Sequence, residues 1–242
     1  MNEAHAVRVR TARAAGFWYL LLAVSGVLGF LVLHSQIYVT SDPERTLANL
    51  VGQEALARTR LVLELLIVLS QALAAVWFYR LFKSIREWEA WAVGVWGMAN
   101  ALAILISALS MAVALDVAYS SVATQADKIL LIELLGRLIR HAWGVGGLFF
   151  GLWLIPMGHM VITSKAMPAW LGRVLILGGV GYVVKTFLQY AGFQHALMDS
   201  LTLPATIGEF WMIGYLLIFG IRPWPESADG RRRHASGPGE QR

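Results

Sequence analysis

Cysteine is missing from all 242 residues. Disulfides, thiolate nucleophiles and sulfur-ligated metals are therefore excluded. Charge is scarce as well: Asp, Glu, Lys and Arg make up 14% of the chain, against roughly 25% in a soluble domain. The six histidines fall in no His-Glu-x-x-His or related spacing, so no metal site is expected. Recognisable nucleophile–base spacings, phosphate-binding glycine loops and dinucleotide fingerprints are lacking too. The sequence thus names no catalytic residue and implies no cofactor.

What the chain has instead is apolar runs. Hydrophobic residues make up 57% of it, its mean hydropathy is +0.60, and the runs are long enough for the roughly 20 residues that cross a bilayer. The fold class read from this is all-α: a polytopic integral membrane protein with six transmembrane helices, its first partner the lipid bilayer. The spans are expected at Gly16–Val39, Arg60–Phe82, Trp91–Ala118, Glu133–Thr163, Ala169–Tyr190 and Ala205–Ile221. The first run is too long for a signal-peptide core and lacks a small-residue cleavage site, so it reads as a retained span.

A net charge of +5 would suggest nucleic acid in a soluble protein. Here Arg8, Arg10, Arg13, Lys83, Arg86, Lys165 and the arginines after Gly230 lie in alternate segments between the apolar runs, and so on one side of the membrane, which is how a membrane protein fixes its orientation. Nucleic acid is discounted, and both termini are expected in the cytoplasm, within a bacterial cytoplasmic membrane. The domain reading is a cytoplasmic arm (1–15), a six-helix transmembrane domain (16–222) and a disordered basic tail (223–242), rich in Pro, Gly and Arg. Between spans one and two, Asp42-Pro43-Glu44 supplies a capping aspartate, a first-turn proline and a first-turn acid. The apolar stripe Leu47, Leu50, Val51 then predicts a short amphipathic helix on the outer membrane surface.

Span four carries the most regular pattern. Glu133, Arg137, Arg140, Gly144, Gly147, Gly151, Ile155 and Gly158 follow one another at spacings of three and four, so they share one helix face. That face is charged at its N-terminal end and nearly bare beyond it, which suits close helix packing in lipid. Gly144, Gly147 and Gly151 are expected to pack against Gly178 and Gly181 of span five; a homodimer contact is the alternative. Pro156 cannot donate to the Leu152 carbonyl and predicts a kink.

The stretch Phe149 to Val184 resembles a bacterial membrane family described as domain of unknown function 4386. The similar pieces are Phe150-Gly151-Leu152, Gly158, Ser164, Pro168, Leu171-Gly172 and Gly179 to Tyr182. Ala12 to Gly16, Tyr79 to Leu81 and Glu209 are similar as well. Span three departs, since Trp91 to Ala101 lacks the arginine and acid that the family often carries there. The resemblance implies a multi-pass helical protein and carries no activity with it.

Ionisable residues within spans are costly in lipid and usually face a cavity or one another. At roughly 1.5 Å per residue, Glu64, Arg140, His141, Lys185 and Glu209 all fall in the outer leaflet, and these five are the candidate ligand-binding set. Pairing inside the bundle is favoured for Glu64, Lys185 and Glu209. Arg137, Asp116 and His34 are read as headgroup-facing or helix-capping. Ser25, Gln71, Asn100 and Tyr182 form a mid-depth polar layer, read as interhelical hydrogen bonding. The functional expectation is an outward-facing polar cavity that binds a small polar molecule or a lipid headgroup. The alternatives are a membrane enzyme acting on a lipid or isoprenoid at the outer leaflet, and a partner subunit of a membrane complex. The sequence fixes no oligomeric state.

Overall fold

The computed structural model describes residues 3–193 and 195–223. Almost all of the tail expected from residue 223 onward, 224–242, lies outside the described residues. Six helices are long and apolar enough to cross a membrane: Glu3–Ile37 (α1), Glu54–Phe82 (α3), Glu87–Tyr119 (α4), Gln125–Ser164 (α5), Ala169–Tyr190 (α6), and Leu197–Ile218, a 3₁₀ turn at Ala196–Thr202 running into an α-helix at Leu203–Ile218 (α7). A short helix, Pro43–Gly52 (α2), joins the first two spans. No strand occurs among the described residues. The chain is an all-α, multi-pass membrane protein.

Local chemistry sets the helix ends. Asp42 accepts from the Arg45 backbone N–H, with Pro43 at the first helical position of α2. Thr124 and Asp127 form a reciprocal capping box that starts α5. Lys165 closes α5 in a left-handed conformation, φ 56°, and Pro168 caps α6. Pro156 lies inside α5, and the helix runs through it. With 40 residues at about 1.5 Å each, α5 is about 60 Å long, twice the roughly 30 Å hydrocarbon core. A helix of that length extends beyond the core.

Residues 3–15 form the opening turns of α1, and Ala12 and Ala15 are fully buried. Helix α2 forms where expected, and its apolar stripe faces protein. Leu47 and Leu50 are buried in a satellite cluster with Ile37, Ala57, Ala114, Leu115 and Ile132, and only Val51 is exposed. An apolar stripe satisfied by neighbouring spans looks the same in sequence as one satisfied by lipid.

The main core centres on Trp153, buried against Tyr19, Phe78 and Phe150. Beside it, α5 and α6 meet backbone to backbone. A Cβ on Gly151 would stand 2.5 Å from the Gly179 carbonyl oxygen, and one on Gly158 would stand 2.5 Å from that of Gly172. The partners of the remaining glycines are more varied. Gly147 faces Thr186 and Tyr182, and Gly144 faces Tyr190, whereas Gly178 seats Ala205 of α7 and Gly181 seats the Leu201 carbonyl. Span four therefore presents its bare face to α6, and α6 presents a second bare face to α7.

Candidate functional site

The six spans line a cavity of about 190 Å³, and each of them contributes to its wall. Tyr19, Leu22, Ala23 and Gly26 come from α1, Ile67 and Gln71 from α3, and Asn100 and Ile104 from α4. Helix α5 adds Trp143, Gly146, Gly147 and Phe150; α6 adds Tyr182; α7 adds Glu209, Phe210 and Ile213. Most of this wall is apolar or aromatic, with a few polar groups converging on it, which is the ordinary make-up of a small-molecule site.

Two acids are held by aromatic donors. The Tyr19 hydroxyl donates to Glu209 Oε1 at 2.7 Å, tying α1 to α7. Tyr19 is fixed in turn by edge-on contacts with Phe78 and Trp153. The Trp143 indole N–H donates to Glu64 Oε1 at 2.8 Å, and Arg60 donates to Glu64 Oε2 at 2.7 Å. Arg60 and Glu64 are both 0% exposed. Above them, α1 widens from α to π geometry over Val27–His34. This wider turn brings Gly29 against the guanidinium; a Cβ there would meet Arg60 at 3.2 Å. Phe30 of the same turn packs on Trp143. Local π geometry recurs at functional sites, and here it roofs the ion pair behind the Trp143 wall.

Gln71 stands out among the lining residues. It is fully buried, and neither its Nε2 nor its Oε1 has a partner among the described residues. An amide left so costs about 1–3 kcal/mol, which a ligand or a water in the cavity could offset. Asn100, 3% exposed, lines the neighbouring stretch, and Tyr182 packs edge-on to Phe150. Gln71, Asn100 and Tyr182 are three of the four residues assigned in the sequence to interhelical hydrogen bonding; all three line the cavity instead.

Of the five candidate ligand-binding residues, Glu209 lines the cavity, and Glu64 lies behind Trp143. The others lie elsewhere. Lys185 binds Asp199 of the 3₁₀ turn at 2.8 Å. His141 is exposed and meets the Tyr190 hydroxyl at 3.1 Å. Arg140 is exposed and borders a small separate cleft with His34, Tyr38 and Glu133. These three do not meet Glu64 or Glu209, so the five residues do not form one polar constellation. Among the described residues, no three His, Asp or Glu side chains gather where they could hold a metal.

Sequence reasoning missed Tyr19, Trp143 and Arg60. Arg60 was legible: it precedes Glu64 by four residues, the spacing of a helical ion pair. It stands on the first residue of the expected span, whereas α3 begins six residues earlier at Glu54. Asp199 also had a signal, as an acid in a loop that otherwise offers Lys185 no partner.

A family model described as domain of unknown function (DUF4386) matches residues 14–220. A 69-residue stretch is 28% identical to an uncharacterized protein of Archaeoglobus fulgidus, covering 28% of this chain and 43% of that protein. The chain thus spans less than half the length of that relative. No solved structure matches.

Proposed function

We propose that this chain, which belongs to the DUF4386 family of domains of unknown function, is a membrane binding protein whose ligand site is the cavity among its six spans. The observation that carries this reading is Gln71: a fully buried amide with neither end partnered, on the wall of a cavity that all six helices line. Helix glue would pair such a group. A site that awaits a ligand leaves it free. Glu209 supports the same reading, since an acid within a span ordinarily marks a ligand or ion site. The ligand is a small molecule with an apolar body and one or two polar atoms, matching the largely apolar wall. The basic residues at the α1 start, the α3–α4 turn and the α5–α6 turn support placing that face in the cytoplasm.

The test is mass spectrometry of what co-purifies with the protein from its native membranes, for the wild type and for Gly26→Phe. Gly26 lines the cavity, and a Cβ there meets nothing within 4 Å, so a larger side chain starts in open space on the cavity wall. The wild type should carry a defined small molecule that Gly26→Phe lacks, with similar thermal stability for both. The same molecule retained by a folded Gly26→Phe protein would sink the reading.

A further inference from the structure

We infer that the cavity takes an organic monocation, with Glu209 as its counter-ion; this rests on the binding reading above and specifies its ligand class. Tyr19 donates to one oxygen of Glu209. Among the described residues, no Lys, Arg or His nitrogen lies within 4 Å of either oxygen. The cations on neighbouring helices are engaged or turned away: Arg60 holds Glu64, Lys185 holds Asp199, and Arg140 is exposed at another cleft. The cavity wall therefore carries one carboxyl group and no cationic side chain.

The rest of the wall fits the same ligand. Tyr19, Trp143, Phe150, Tyr182 and Phe210 surround the space with aromatic rings, and ring faces attract ammonium groups, most strongly where water is excluded. The unpartnered Oε1 of Gln71 can accept from an ammonium N–H. An anionic ligand would bring like charge to Glu209 in a low-dielectric setting, whereas a cation supplies the counter-charge that a buried carboxylate calls for. The volume suits a single ring bearing a short amine arm: about 190 Å³, where a cavity of about 150 Å³ holds benzene.

Benzylammonium and benzyl alcohol test this, since they share size and shape and differ in charge at one heavy atom. Equilibrium dialysis on the purified full chain would give both affinities for the wild type, Glu209→Gln and Gly26→Phe. The wild type should bind the ammonium at least tenfold tighter than the alcohol. Glu209→Gln, whose amide oxygen still accepts from Tyr19, should bring the two within about twofold, and Gly26→Phe should abolish binding of both. Equal or tighter binding of the alcohol by the wild type overturns the cation assignment and leaves the cavity site standing; this comparison needs no variant. A tenfold preference that survives Glu209→Gln overturns the role of Glu209. Binding of neither probe, or binding indifferent to Gly26→Phe in a folded protein, overturns the site and the ligand class together.

Discussion

Replacing Glu64 by leucine should destabilise this protein more than any other single change at the ion pair. The pair is 0% exposed on both sides, and the second amino nitrogen and Nε of Arg60 already lack partners among the described residues. Glu64→Leu removes the one contact that balances the guanidinium and also orphans the Trp143 indole N–H. A buried pair broken on one side costs about 3–5 kcal/mol, and an orphaned buried donor adds about 1–3, so a loss of about 4–8 kcal/mol is expected. At about 2–4 °C per kcal/mol for a chain of this size, the melting midpoint in detergent should fall by about 8 °C or more. The double variant Arg60→Met/Glu64→Leu leaves only the indole unpaired and should lose about 1–3 kcal/mol. Single and double variants compared by thermal melting and by denaturant titration in mixed micelles give the coupling, expected at about 2 kcal/mol or more. A double variant as unstable as Glu64→Leu, or a Glu64→Leu loss below about 1 kcal/mol, would refute the claim that Arg60 depends on Glu64.

Three further outcomes follow from the same packing. Gly158→Ala puts a methyl 2.5 Å from the Gly172 carbonyl oxygen and should cost about 1–3 kcal/mol by overpacking, whereas Gly214→Ala, with nothing within 4 Å, should melt at or slightly above the wild-type midpoint. Lys185→Ala should change stability by less than about 1 kcal/mol, because its partner Asp199 is 85% exposed and such pairs contribute little. The absence of native cysteine makes topology readable from single cysteines at Ser41, in the exposed turn between α1 and α2, and Ser84, in the exposed turn between α3 and α4. A membrane-impermeant maleimide should label Ser41→Cys in intact cells and spare Ser84→Cys; the reverse pattern would invert the proposed orientation.

The number and order of the spans were legible because hydropathy and length are one-dimensional properties, and α6 matches its expected limits residue for residue. The other limits moved wherever helices outrun the bilayer, as at Glu3, Glu54 and Gln125. The site was less legible. Depth along a helix can be counted from sequence, but rotation about its axis is set by packing against neighbours. Lys185 and Glu209 were grouped in one candidate set because they share a leaflet; in the fold, Lys185 turns to Asp199 and Glu209 to Tyr19. Gln71 reads as ordinary helix glue until the wall opposite it proves to be empty space. The glycine stripe gave the α5 face but not all of its partners, since Gly178 and Gly181 serve α7 and its preceding turn.

The most direct check of the central claim is an X-ray structure of the protein soaked with bromobenzene, with data recorded at the bromine edge. A neutral ring tests the cavity without regard to ligand charge. A bromine peak bounded by Ala23, Gly146 and Phe150, and absent from Gly26→Phe crystals soaked alike, is the predicted result. An empty cavity at saturating bromobenzene, or the same peak in the filled variant, would contradict the account.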